Sequence, residues 1–242
     1  MGLTCKLCGG SSEKLAKAHI IPKAFYGSTL TSTRGSARLI SNAPFARSPR
    51  SPVGEYDAEL ICSVCESYFA SLDGYAYWLM FLDKPRTYFD HGIPILDVHS
   101  SYDAESFRQF ILSLLWRMET TSRPAFSHVR LGMLASGVEE SMRQRNSRFA
   151  PFVDAIIQRF DDPRSDPILF PTRQRHDGVN GYRVKLARHA IWIKTDRRPI
   201  PSTFSDLSVS SGPILPVLRM EFSESPEFRA LIALLRLRQR GS

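Results

Sequence analysis

No stretch of this 242-residue chain approaches the roughly 18 uninterrupted apolar residues that a membrane span requires, and Met1–Lys6 opens no signal-peptide core. A soluble, cytoplasmic protein is expected on those grounds. Cysteine is scarce, with four residues in all, so a disulfide-stapled secreted scaffold is excluded. There is no Walker loop, no Gly-x-Gly-x-x-Gly and no Gly-x-Ser-x-Gly elbow, which removes the commonest nucleotide-binding and hydrolase signatures. Internal repeats are missing too. What remains is an ordinary globular composition, 43% hydrophobic and 23% charged, in which disorder and coiled coils are ruled out.

Acids are almost lacking from the first 53 residues, which hold one against eight Lys and Arg, a balance of +7. Residues 54–110 reverse this with ten acids against three bases, and residues 111–242 return to +8. The net charge of +8 therefore hides a strongly polar chain. A basic block favours a polyanion through counterion release, and an acidic block suits divalent cations.

All four cysteines fall into two equally spaced pairs, Cys5-Lys6-Leu7-Cys8 and Cys62-Ser63-Val64-Cys65. Two C-x-x-C knuckles separated by a long loop read as a four-cysteine structural zinc site. Closing that loop costs entropy that grows only slowly with its length, and a bound metal offsets it. Thioredoxin-type redox chemistry would require a βαβ context that the sequence lacks.

Between the knuckles, residues 13–22 read as a strand ending in His19-Ile20-Ile21-Pro22. Residues 27–54 read as an exposed Ser-, Arg- and Pro-rich loop bearing Arg34, Arg38, Arg47 and Arg50. A second strand at 54–61 alternates Glu55, Asp57 and Glu59, and a helix follows the second knuckle. This order of knuckle, His-bearing strand, loop, strand, knuckle and helix resembles the HNH endonucleases, over about residues 1–80. The resemblance implies a ββα-metal module with His19 as general base, Asp57 at the family's middle Asn and Glu66 at its last His or Asn. Ala18 stands where that family has its first metal-binding Asp or His. A neutral imidazole suits proton abstraction from water, and Glu66 suits Mg²⁺ or Mn²⁺. A remaining ligand could come from Asp73, seven positions after Glu66 and on the same helix face, or from Asp57 or Glu59. The four arginines of the loop would hold phosphates.

The resemblance further implies hydrolysis of DNA phosphodiester bonds, with RNA as second substrate, in phage defence, restriction or toxin action. The alternative is a non-catalytic zinc module that binds nucleic acid or a protein. The expected class is α+β: a ββα zinc module at 1–82, then an accessory region at 83–242, mainly helical with a small C-terminal β part. That region is assigned to substrate, a partner protein or a second copy. Helices are predicted over 66–82, 104–120, within 134–148, over 151–160 and over 226–240, with Asp103 as an N-cap. An Asn180-Gly181 turn and strands over 182–186, 190–194 and 214–222 complete the reading. The stretch Leu112–Arg117 is similar to a segment of larger bacterial HNH-like proteins. His91, His99, His176 and His189 make no ligand spacing.

Overall fold

A computed structural model describes residues 2–26, 54–166, 168–229 and 232, with the backbone alone of two short strands at 37–38 and 50–51. The chain opens on a hairpin, β1 (Leu3–Thr4) with β2 (Ser11–Ser12), whose turn contains the first knuckle. β3 (Ala18–His19) follows, far shorter than the strand expected over 13–22. β4 (Ala37–Arg38) pairs with β5 (Arg50–Ser51), which sets the backbones of Arg38 and Arg50 opposite each other. Arg34 and Arg47 lie outside the described residues. β6 (Tyr56–Asp57) runs antiparallel to β3, with His19 opposite Tyr56 and Ala18 opposite Asp57.

Helix α1 (Ser63–Tyr77) starts at Cys62 and continues into a π-helical turn at Trp78–Leu82, so the helical reading of 66–82 holds. Helix α2 (Ala104–Thr120) has the predicted limits, and Asp103 caps it by accepting from the backbone N–H of Glu105 and Ser106. Its apolar residues repeat at three and four, and Phe107, Phe110, Ile111, Leu114, Leu115 and Met118 are all buried. Helix α3 (Ala135–Gln144) lies within the predicted 134–148 and ends at Arg145, which takes the left-handed conformation.

The rest is one seven-stranded sheet. A hairpin of β7 (Arg86–Asp90) and β8 (Ile93–His99) precedes α2, and β9 (Val153–Arg159), β10 (Leu169–His176), β11 (Val179–Leu186), β12 (His189–Thr195) and β13 (Leu215–Arg219) follow α3. Their order is β10-β11-β12-β9-β13-β8-β7, antiparallel except for the β9–β13 pair. The α+β class holds. The sheet is larger than the small C-terminal part expected, because residues 86–99 join it through a turn at His91-Gly92, both at positive φ.

Two local readings are overturned. Residues 151–160 do not form a helix: Val153, Ala155 and Ile157 on one face and Ile156 on the other are buried between β12 and β13. A short apolar run of this kind fits a central strand buried on both faces as well as a helix. The hairpin turn falls at Asp177-Gly178, not at Asn180-Gly181, and again both residues have positive φ. Gly181 is needed inside β11 for room, since a Cβ there would come within 2.5 Å of Trp192 Nε1. Of the predicted C-terminal helix, 226–229 are helical and most of the remainder lies outside the described residues.

The main hydrophobic core runs without interruption from Cys5 and Leu7 through α1 and α2 to Val217 of the sheet. No helix among the described residues is long and apolar enough to cross a membrane.

Candidate metal centre and the residues around it

The two knuckles meet. Cys5 Sγ lies 3.8 Å from Cys65 Sγ, Cys8 Sγ lies 3.9 Å from Cys62 Sγ, and all four sulfurs fall within 4.8 Å of one another. Tetrahedral Zn–S bonds of about 2.3 Å place sulfurs about 3.8 Å apart, whereas a disulfide needs about 2.05 Å. The cluster therefore has the dimensions of a zinc site. Its backbone is arranged for the purpose: Cys5 N donates to Gly10 O, Gly9 N to Cys5 O and Lys6 N to Leu60 O, each at 2.9 Å. Gly9 sits at φ +72, which lets the first knuckle turn back on itself. Burial opposes ionisation of Cys5, yet the backbone N–H groups of Cys8, Cys62 and Leu7 outweigh it and bring its thiol down to about 7. Burial and the neighbouring sulfurs push Cys65 the other way. Cys5 is thus the readier of the two to ionise, and Cys65 would release its proton to solvent when a metal binds its sulfur.

Around this cluster the predicted residues occupy distinct settings. His19 lies in β3, its ring 6.3 Å from that of Tyr56, and its carbonyl accepts from Arg117 Nη1 at 3.0 Å. Tyr56 also faces two cations, with Lys17 Nζ 5.6 Å and the Arg123 guanidinium 5.9 Å from its ring. Asp57 is buried and fully engaged. It accepts from Glu59 N at 2.9 Å, Thr121 Oγ1 at 2.7 Å and Ser122 N at 3.3 Å. Burial raises its pKa, but those three bonds and Lys6 win and hold it below the ordinary carboxylate value. Asp57 therefore pins β6 to the end of α2.

Glu66, in the first turn of α1, differs. Its Oε2 is buried and has no hydrogen-bond partner among the described residues. Burial raises its pKa, with Asp73 adding to the effect and Arg117 working against it. Asp73 gives both oxygens to Arg117, at 2.9 Å from Nη1 and 2.7 Å from Nη2. Apart from the four cysteines, no three His, Cys, Asp or Glu side chains among the described residues bring their ligand atoms together this closely.

Arg117 is the residue that sequence reasoning missed. It is 1% exposed, and its remaining N–H groups go to Ser113 O and Ser113 Oγ, so all five donors are matched. One side chain of α2 thereby fastens α1 through Asp73 and β3 through the carbonyl of His19. An arginine inside the apolar run Leu112–Met118 was the available signal, since an arginine in a buried stripe needs a partner.

No family model, curated protein or solved structure matches this chain.

Proposed function

We propose that residues 1–82 form an HNH-type nuclease module, stapled by zinc and dependent on a divalent cation, with 83–242 as the accessory region. The observation that carries this reading is the buried, unpartnered Oε2 of Glu66. An unsatisfied carboxylate oxygen costs stability, and a cation beside it would remove the cost. Glu66 also stands at the position where the HNH resemblance puts a metal ligand, one residue after the second knuckle. Support comes as well from the antiparallel β3–β6 pair followed by α1, the ββα order that the resemblance implies.

In this reading His19 accepts the proton of the attacking water, and Arg117 fixes its backbone through the carbonyl bond. Glu66 would hold Mg²⁺ or Mn²⁺, which stabilises the charge on phosphorus and on the leaving oxygen when bound. Asp73 would have to leave Arg117 to become a ligand, so its role here is to add negative charge near Glu66. Lys17 and Arg123 beside Tyr56 offer phosphate contacts next to His19, with the arginines at 34, 38, 47 and 50 as further ones. The substrate is DNA, with RNA second, and the setting is cytoplasmic phage defence, restriction or toxin action.

One observation favours a second reading, a zinc module that binds without cutting: His19, Glu66, Asp57 and Asp73 do not converge as a ready ligand set. Incubating the purified protein with plasmid and with RNA, in Mg²⁺, in Mn²⁺ and in EDTA, separates the two. Metal-dependent cutting that disappears in His19→Ala and Glu66→Gln is expected. Cutting that persists in both variants would refute the mechanism, and a salt-dependent gel shift without cutting under any metal would establish the second reading.

A further inference from the structure

The seven-stranded sheet ends on β7, whose outer edge pairs with no strand among the described residues. A bare row of N–H and C=O groups recruits another strand, so sheet edges normally carry lysine, proline or an inward-pointing charge. β7 reads Arg86-Thr87-Tyr88-Phe89-Asp90, and Lys84 and Pro85 stand just before it rather than within it. Tyr88 and Phe89 are exposed, and β8 adds Ile93 and Ile95, with Phe89 and Ile93 each 63% exposed. Scattered apolar residues at a surface are ordinary, but four large ones on a single edge hairpin mark an interaction surface.

The edge is already formed. The one irregularity in the β7–β8 pairing is a bulge between Tyr88 and Phe89, and its extra residue, Ile95, lies on β8. β7 itself therefore runs unbroken from Arg86 to Asp90. Its inner side is anchored where Thr87 Oγ1 donates to the buried Asp97 at 2.6 Å. Asp97 also accepts from Arg219 at 3.0 Å and from Arg159 at 3.3 Å. A strand held in this way loses little freedom when its outer side pairs.

Charge decides what fits. β7 carries one charge at each end, of opposite sign. A second β7 laid antiparallel about Tyr88 sets Arg86 opposite the partner's Asp90, Tyr88 opposite the partner's Tyr88 and Thr87 opposite the partner's Phe89. Alternation puts Arg86, Tyr88 and Asp90 on one sheet face, so two ion pairs flank an aromatic pair, and both kinds of cross-strand pair are favourable. Parallel pairing in register would instead set arginine beside arginine and aspartate beside aspartate. Neither charge is committed elsewhere. Arg86 makes no ion pair among the described residues and lies 4.9 Å from the centre of the Tyr88 ring, while Asp90 has only the exposed His91, 3.8 Å away.

We propose that β7 is a homodimerisation edge: a second copy of the chain adds its own β7 antiparallel across a two-fold axis at Tyr88, joining two seven-stranded sheets into one. The contact is isologous and closes at two copies, because each copy spends its free edge on the other. An edge contact of this length belongs to the small interfaces, for which association in the micromolar range is expected. The inference is independent of the nuclease reading of the zinc end.

Sedimentation velocity of the full chain from about 1 to about 200 µM tests it, with monomer expected at the low end and dimer at the high end. Arg86→Glu and Asp90→Arg each place like charges opposite one another at both ends of the contact, and each should weaken the dimer at least about tenfold. An equimolar mixture of the two variants restores an opposite-charge pair at both ends, so association should return on mixing. Both side chains are exposed, and unchanged thermal melting shows that the variants fold. Tyr88→Lys, which sets two lysines face to face at the axis, is an independent disruption. A chain still monomeric at about 200 µM, a dimer indifferent to all three variants, or a mixture no tighter than its components overturns the proposal. Amides of β7 protected from hydrogen exchange in the dilute monomer overturn it too, since another segment of the same chain would then cover the edge.

Discussion

Replacing Arg117 by methionine keeps most of the aliphatic stem but removes the guanidinium, 5.2 Å from the centre of the Phe69 ring, and with it five buried N–H donors. The helix keeps the backbone bonds of Ser113, so the loss concentrates on Asp73 and the His19 carbonyl. Asp73 has a side chain 15% exposed, and without the guanidinium it is left nearly dehydrated and unpaired. Breaking a buried pair from one side costs about 3–5 kcal/mol, more than the pair itself contributes, because the stranded charge remains. At this chain length 1 kcal/mol moves the melting temperature by about 2–4 °C, so a fall of roughly 6–20 °C is expected. Urea denaturation followed by tryptophan fluorescence measures it, with Trp116 next in sequence to the altered residue.

The cost falls on Asp73, and a double-mutant cycle isolates it. Asp73→Asn removes the charge, so Arg117→Met should cost distinctly less in that background, by about 1–3 kcal/mol. Loss of under about 1 kcal/mol in the single variant, or strict additivity in the pair, would refute the account of Arg117 as the tie between α1, α2 and β3.

Two further outcomes follow from the same region. Burial raises the pKa of Glu66 in the folded chain, so the fold prefers the protonated acid and is penalised by the carboxylate; the penalty is absent below the unfolded value of about 4.3 and grows as pH rises through the folded one. Glu66→Gln should therefore raise the melting temperature at pH 7, with the gain over wild type shrinking toward pH 4; an equal gain at both pH values would contradict the burial argument. The four-cysteine cluster should hold about one zinc per chain by elemental analysis. Chelation, or Cys8→Ser at the exposed ligand, should unfold the knuckles and β3–β6 while far-ultraviolet dichroism retains the sheet signal; full stability of the stripped protein at residues 2–26 by hydrogen exchange would count against a structural metal.

What the sequence made legible follows how local each signal is. The knuckles are four residues long each, and α2 repeats its apolar positions over 17 residues, so spacing alone located both. Residues 151–160 failed because a strand buried on both faces has no period to read, and its identity depends on β12 and β13 lying on either side. The turn failed for a related reason: Asp-Gly and Asn-Gly signals stand three residues apart, and only the indole of Trp192 decides which glycine is spent on space.

The same distinction separates the carboxylates of the candidate site. Glu55, Asp57, Glu59, Glu66 and Asp73 are equivalent as letters in an acidic block. Folding sorts them by what approaches from α2 and the two residues after it, a segment that begins 38 residues further along the chain than Glu66. Thr121 and Ser122 saturate Asp57, and Arg117 saturates Asp73. Glu66 is left as a half-buried acid whose buried Oε2 has no hydrogen-bond partner among the described residues. A helix that only closed the core would need none of these polar groups. That α2 satisfies two acids and leaves a third open is the reason to look for chemistry at Glu66 before either neighbour.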